Sequence, residues 1–356
     1  MDHTSHTEKN RSDRVKRYIR ILLMFLMFFL ASCRKKDPDT LTYTIFPYIP
    51  QADHYQEVIE RRWAQIEPDI RLVRAEWNCY HDEKPEGIDV LMYDELMQDK
   101  LIENGWIQPI DLSAVKNIED IFPFALKGLM IDKKLYGIPV VLCGNFLIYD
   151  QDCIELSDAQ HLSDLADEAE ILVINTRLPS HRTQYINEIM ADISRQANPI
   201  IEDDDDDLMA LMDQLAVDDH EKDEDAQVAA AYDSGIGKGY IGFSESLALL
   251  NKRIAKTTIK AISFSDQDDL PRLYVDAVAL NSEVKGRRYE KCIELMNVIA
   301  EAEVLLSLSV QDEVPKYLML ARRSPYDSLN ERFPLYVQIE KLASDEDNQA
   351  ILAPRP

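Results

Sequence analysis

Positive charge is what this sequence has too little of. Its 356 residues carry 39 Lys and Arg against 65 Asp and Glu, a formal charge of −26. Phosphates would be repelled by such a surface rather than neutralised, which excludes a nucleic-acid binder. A bilayer-spanning run is also missing: the apolar stretch Ile21–Leu30 is too short for a crossing that needs ~20 helical residues. The cysteines match no zinc spacing and form no C-x-x-C pair, so neither a zinc site nor a dithiol redox motif is expected. The five-Asp run Asp203–Asp207 has no glycine at EF-hand spacing, and the acidic stretch 202–225 reads as a solvated loop or helix start, with no metal site. Gly235–Gly242 (GIGKGYIG) lacks the G-x-x-x-x-G-K-[ST] pattern, leaving a phosphate loop unsupported, and no internal repeat is visible. What is present is apolar material, 46% of residues, enough for a core and incompatible with wholesale disorder. The length fits one large or two moderate domains.

The N-terminus carries a message about place. Arg14, Lys16, Arg17 and Arg20 precede the Ile21–Leu30 run, the basic and apolar regions of an export signal. The run ends in Leu30-Ala31-Ser32-Cys33, which resembles a bacterial lipobox; the alternatives are a weak membrane helix or a plain signal peptide with an incidental cysteine. The expectation is a signal peptide over 1–32, removed to leave Cys33 as the acylated first residue, with a tether over 33–40. Arg34 rather than Asp follows the cysteine, so the signal that commonly holds lipoproteins in an inner membrane is absent. The expected location is an outer membrane or the cell surface. Loss of residues 1–32 removes more basic than acidic side chains, so the remainder is more acidic still.

Along the rest of the chain, Leu41–Ile45 reads as a strand stopped by Pro47 and Pro50. Val58, Ile59, Trp63 and Ile66 recur at helical spacing over Tyr55–Ile66. Ile70–Glu76 alternates like a strand, and Ile88–Tyr93 is a short apolar run of the kind buried in parallel sheets. Glu95–Glu103 is expected to be helical and Ile107–Leu112 a loop. Leu135–Tyr149 is expected to form one strand bending through Gly144, able to pass from one lobe to another. Further expectations are a helix over Asp164–Ala169, strands over Ile171–Ile174 and Arg272–Leu280, and a single amphipathic helix over Tyr289–Leu306. The alternation of strands and helices defines an α/β fold. The expected division is lobe 1 starting at 41–145, lobe 2 over 146–270, and a return segment with C-terminal helices over 271–356 that packs on both.

Candidate chemistry lies at strand ends. Asp94 follows an apolar strand, where open α/β sheets place ligands; Glu245 follows the glycine-rich stretch; Tyr274 and Asp276 alternate on a strand. Acids with aromatics suit an organic cation, through cation–π contact and charge-assisted hydrogen bonds. Each residue also has an ordinary structural explanation, a helix cap for Asp94 and core packing for Tyr274. Cys143 sits in a segment with no charged residue from Leu135 to Ile148. A thiol there is most often a buried small hydrophobe, and as a nucleophile it needs a base. Cys79, Cys153 and Cys292 can be free or oxidised.

The segments LTYTIFPYIP at 41–50, WNCYHDE at 77–83, IDVLMYDELM at 88–97 and IFPFALKG at 121–128 resemble those of thiamine pyridinylases, the type I thiaminases. The resemblance continues through LYGIPVVLCGNFLIYD at 135–150, GYIGFSESL at 239–247 and LYVDAVALN at 273–281. It implies a two-lobed fold similar to type II periplasmic binding proteins, with a ligand cleft between the lobes. It further implies a nucleophilic Cys143 that adds to C6 of the aminopyrimidine of thiamine, with Glu245 as its base. Asp94 and Asp276 would hold the aminopyrimidine, and Tyr48, Tyr80 and Tyr274 would be site tyrosines. The implied reaction displaces the thiazole with an organic base or thiol and needs no cofactor. Its implied partners are small molecules, and a monomer is expected. Phe46 and Phe243 stand where the family leads one to expect tyrosines, the segment between Cys143 and Glu245 is shorter than usual, and a membrane anchor departs from freely secreted relatives. The alternative is a solute-binding lipoprotein delivering thiamine or its pyrimidine to a permease; a structural surface lipoprotein is the third reading. A receptor would need neither Cys143 nor Glu245.

Overall fold

β1 (Thr40–Tyr43), β2 (Arg71–Arg74) and β3 (Val90–Asp94) open a mixed sheet, with β1 and β3 parallel. The computed structural model describes residues 39–161, 163–165, 172–173, 224–263 and 272–351. Cys33, the Asp203–Asp207 run and the helix expected beyond Leu165 lie outside the described residues.

All five residues of β3 are buried, as its continuous apolar run predicts. Between β1 and β2 runs the helix Ala52–Ile66, whose Tyr55, Val58, Ile59 and Trp63 form one buried face. After β3 come β4 (Ile107–Gln108), inside the segment expected to be a loop, and the hairpin of β5 (Met130–Ile131) and β6 (Lys134–Leu135). β4 pairs with the far end of a later strand.

The 138–150 segment corrects the single bent strand. It forms two strands, β7 (Ile138–Cys143) and β8 (Phe146–Asp150), which belong to different sheets. Gly144 and Asn145 cross between them. Pairing demands separate the two: β7 is matched along its length by a strand of the first sheet, whereas every residue of β8 is matched by strands of the second. That second sheet runs β11-β8-β10-β9, from β9 (Leu172–Val173), β10 (Gly239–Gly242) and β11 (Thr257–Ala261).

The chain then returns through β12 (Arg272–Asn281), the spine of the first sheet, whose order is β15-β7-β12-β3-β1-β2. After the short hairpin of β13 (Val310–Gln311) and β14 (Val314–Pro315), the set is completed by β15 (Met319–Leu320) and β16 (Gln349–Ala350). The C-terminal helix Pro334–Ala343 reaches the second sheet: Gln338 Oε1 accepts from Thr258 Oγ1 at 2.6 Å and from the Ile259 N–H at 2.9 Å, covering part of the edge strand β11.

The single helix expected over Tyr289–Leu306 is two helices, Arg287–Ile299 and Ala302–Ser309. Glu301 is extended at the break. The last carbonyls of the first helix are claimed from outside, Ile299 O by the Tyr55 hydroxyl at 2.7 Å and Ala300 O by the Arg322 guanidinium. Tertiary donors thus replace the next intrahelical turn, and the apolar periodicity, continuous across the break, gives no hint of it.

Candidate functional site

The site grows from the pairing of β12 with its two neighbours. Tyr274 lies opposite Cys143 of β7, and Asp276 lies opposite Asp94 of β3. Directly opposed residues point to the same face of a sheet, and residues two apart along a strand share a face. Cys143, Tyr274, Asp276 and Asp94 therefore stand on one face. The register between β7 and β12 shifts beside Asp276, at Ala277, where Pro139 is the opposing residue. Proline has no N–H for a ladder and is placed at such irregularities, which also re-aim neighbouring side chains.

Asp94 ends β3 and caps the following turn, accepting from the Leu96 N–H at 2.8 Å. Its other oxygen accepts a short hydrogen bond from the Tyr80 hydroxyl. Asp94 and Asp276 are 6% and 5% exposed, and neither has a Lys or Arg ion-pair partner among the described residues. Asp276 Oδ1 has no hydrogen-bond partner there either. Burial raises the Asp94 carboxyl above the usual range, although the bonds from Tyr80 and Leu96 oppose it. Burial raises Asp276 further, with the charges of Asp94 and Glu245 adding to it.

Glu245 comes from the second sheet. It sits in the first turn of the short helix Ser244–Leu249 that follows β10, and is half-buried. Gly242 of β10 opposes Phe146 of β8, so the turn to Glu245 and the crossing from Cys143 start from one rung. Ser246 Oγ donates to Phe243 O at 2.6 Å and lies 2.9 Å from the Tyr240 hydroxyl, which fixes that turn. Cys143 retains some exposure, yet its thiol is pushed well up, by burial first and then by Asp276, Glu245, Asp94 and Glu95. Burial and these acids favour the protonated thiol.

At one edge stand Phe46, Tyr48 and Tyr80, with ring centroids 5.3 Å (Phe46–Tyr48), 6.2 Å (Phe46–Tyr80) and 6.3 Å (Tyr48–Tyr80) apart. Tyr48 is 60% exposed, and its hydroxyl accepts from Asn78 Nδ2 at 3.3 Å. Phe243 is half-buried beside Glu245.

The structure thus brings Cys143, Tyr274, Asp276, Asp94 and Tyr80 together, couples Glu245 to them, and leaves Tyr48 at the exposed rim. Sequence reading missed two neighbours. Glu95, expected only as the first residue of a helix, is buried. Cys79 is fully buried, and its thiol is pushed up to about 12 by burial, with Asp94 and Asp276 adding to the rise. The only signal for either was adjacency to Asp94 or Tyr80. Cys79, Cys143 and Cys153 are free thiols, and no group of three or more His, Cys, Asp or Glu among the described residues could hold a metal ion. An open groove of about 440 Å³ lies elsewhere, between the helix Ala52–Ile66 and β2; Asp53, Glu60, Arg74 and Glu76 line it, with neither a thiol nor an aromatic ring.

Two sheets joined at a crossing, with acids and a thiol gathered beside it, define a two-lobed binding-protein frame. Maltose-bound T. maritima MalE3 shares this frame, with a TM-score of 0.67 at 13% identity, over 89% of each chain. The fold is of the type II periplasmic-binding-protein kind. The chain is similar to thiaminase I: thiaminase-1 of Paenibacillus thiaminolyticus is 25% identical over 339 residues, 87% of this chain and 82% of that one. The structure of Clostridium botulinum thiaminase I in complex with thiamin matches with a TM-score of 0.79 at 24% identity, over 88% of this chain and 94% of that one. No family model matches the chain. The fold and resemblance expected from the sequence motifs are both borne out.

Proposed function

We propose that the protein is a thiamine-degrading transferase of the thiamine pyridinylase type. The observation that carries this reading is the sheet face shared by Cys143, Tyr274, Asp276 and Asp94, on which neither aspartate is paired with a cation among the described residues. Buried acids without a counter-charge are costly, and a guest that brings its own positive charge relieves that cost. Thiamine is such a guest. Its charge would favour ionised Asp94 and Asp276 and offset the acidic field that holds the Cys143 thiol protonated.

In the proposed reaction Cys143 gives its proton to Glu245, and its sulfur bonds to C6 of the aminopyrimidine. The ring loses its aromaticity. The amino group's electron pair then helps to break the bond from the bridging methylene to the thiazolium nitrogen, and the bonding pair leaves on the thiazole. Glu245 passes its proton to solvent; pyridine, an aromatic amine or a thiol then bonds to the methylene, with Glu245 taking a proton where the nucleophile carries one, and a proton returns to Cys143 when its sulfur leaves C6. Loss of the sulfur from C6 restores the aromatic ring. Asp94 and Asp276 stabilise the positive charge on the pyrimidine, and Tyr48, Tyr80 and Tyr274 offer rings to the bound molecule. No cofactor takes part.

The basic and apolar N-terminal regions support export, and Leu30–Cys33 supports an acyl anchor on Cys33 at an outer membrane or cell surface. Cys33→Ala is then expected to release the chain from membranes or block its processing, read by fractionation. The protein is proposed to act as a monomer on small molecules, with lobe 1 starting at 41–145, lobe 2 over 146–270 and the return segment over 271–356.

The deciding experiment incubates the protein lacking residues 1–33 with thiamine and pyridine or aniline, with products read by mass spectrometry. A pyrimidinylmethyl adduct of the added base together with free thiazole, both lost in Cys143→Ser, is the expected result. Intact thiamine retained by the protein would instead identify a solute-binding lipoprotein.

A further inference from the structure

Two serines flank Glu245, and the fold treats them differently. Ser244 and Ser246 are both buried. Ser244 Oγ has no hydrogen-bond partner among the described residues, whereas Ser246 Oγ is engaged twice. It donates to Phe243 O at 2.6 Å and lies 2.9 Å from the Tyr240 hydroxyl. A serine hydroxyl has a single proton and Phe243 O takes it, so the Tyr240 hydroxyl is the donor in the second bond. Phe243 O also accepts from the Ser246 N–H at 3.1 Å. This carbonyl closes the turn 243–246 through both the backbone and the side chain of Ser246, with Glu245 inside the turn.

Room for the arrangement is made on β10. Tyr240 and Gly242 are two apart and share a face of the strand. A Cβ on Gly242 would lie 3.1 Å from Tyr240 Cε2 and 3.4 Å from Ser246 Oγ, so the missing side chain lets the ring approach the strand end and reach the serine. The Tyr240 ring also packs on Tyr232, with centroids 5.2 Å apart, and Tyr232 is itself bonded to Asp150. The turn is thus held from the second sheet. Its direction is towards the thiol: Phe146 and Gly242 form one antiparallel rung, and Cys143 lies as many residues before Phe146 as Glu245 lies after Gly242. Continuing that register sets Cys143 and Glu245 opposite each other. Asp94 and Asp276, proposed to hold the pyrimidine, stand on the first sheet.

We infer that Ser246 is a positioning residue for the base: with its hydroxyl held by Tyr240, it fixes the turn that aims Glu245 at the Cys143 thiol, and it takes no part in holding thiamine. This rests on the proposed function, in which Glu245 is the base. Proton transfer needs the two groups within hydrogen-bond reach, so a loosened turn is felt in the chemical step and not in binding. A serine kept for stability alone would change unfolding and leave the turnover of folded molecules as it was.

The test compares steady-state turnover of thiamine with pyridine by the full-length parent, Ser246→Ala, Tyr240→Phe, the double variant and Ser244→Ala, at a temperature where circular dichroism shows each folded. Ser246→Ala is expected to lower kcat roughly ten- to a hundredfold, the scale of a misplaced catalytic group, with KM for thiamine unchanged. Tyr240→Phe should lower kcat less, and the double variant should match Ser246→Ala, because the phenol acts through the serine. Ser244→Ala removes a hydroxyl from the other side of Glu245 and should keep the parent kcat. An unchanged kcat in Ser246→Ala, or a loss carried by KM, overturns the inference and leaves the function standing. An equal loss in Ser244→Ala does the same, since it marks a general loosening of the turn, and a double variant worse than Ser246→Ala overturns the route from Tyr240. A parent that forms no pyridine adduct overturns the proposed function and the role of Ser246 with it. Where Ser246→Ala does not fold, Tyr240→Phe, which keeps the ring, decides by the same split between kcat and KM.

Discussion

Asp94 and Asp150 close two strands, β3 and β8, and are buried to nearly the same extent, yet burial acts on them with opposite results. Asp150 meets the Arg253 guanidinium, which also lies over the Tyr232 ring at 4.1 Å and donates to Tyr232 O and Gly237 O at 2.8 and 3.0 Å. It accepts from the Tyr232 hydroxyl at 2.9 Å, with Lys256 Nζ at 3.5 Å. Burial alone would raise its pKa; these hydrogen bonds and charges outweigh burial and hold it below the usual carboxylate range. Asp94 has only a phenol and an amide as donors and faces a second acid, so burial wins and it stays above that range. The second sheet neutralises its strand-end acid from within. The first gives its acids no Lys or Arg partner among the described residues.

Removing the internal partner should have the largest effect. Asp150→Asn leaves Arg253 buried without its counter-charge and should cost about 3–5 kcal/mol in denaturant unfolding, with little change in turnover by the molecules that remain folded. A loss confined to turnover would break the contrast between the two acids. Asp276→Asn should do the converse. It removes charge stabilisation at the reacting ring, and thiamine turnover should fall by roughly 10²–10³, while the melting temperature holds or rises. Turnover unaffected by this change would remove Asp276 from the chemistry.

The dependence on pH sharpens the comparison by its sign. A raised native pKa means that folded Asp276 holds its proton where the unfolded chain, near the ordinary ~3.9, has lost it. Stability then falls as pH rises from that value through the raised one. Asp150, lowered in the folded state, contributes stability above ~3.9 that is lost as pH falls through its lowered value. Melting curves should therefore show Asp276→Asn meeting the parent at low pH and exceeding it towards neutrality, with Asp150→Asn deviating the other way. Deviations of the same sign would refute the assignment of opposite shifts. The smallest effect is expected at the rim, where Phe46→Tyr should strengthen thiamine binding by about 0.5–1.5 kcal/mol if the new hydroxyl finds a partner. Calorimetric affinities for the two proteins would measure it.

Much of this was legible along the chain. The Ala52–Ile66 helix and the β3 strand follow from apolar spacing, and Asp94, Tyr274 and Asp276 were candidates because strand ends and alternating faces can be read in one dimension. The motifs around Cys143 and Glu245 pointed to a two-lobed fold. Local pattern failed where distant groups intervene. The Arg287–Ile299 helix stops because Tyr55 and Arg322 take its last carbonyls. β7 and β8 separate because each is paired by a different sheet. Glu95 was legible only as the first residue of a helix, because nothing in its neighbours in sequence announces its burial.

The sequence by itself determined the α/β class, the acidic balance, and the residue types available for chemistry, because these depend on composition and on periodicities of two and 3.6 residues. Only the tertiary structure decided which acids meet a cation. Asp94 and Asp150 are alike in sequence setting, each closing an apolar strand. The difference between them is Arg253, more than a hundred positions from Asp150 along the chain and in salt-bridge contact with it in the fold. The charge state of a buried carboxyl follows from what stands beside it in space, and that is settled when the two sheets form.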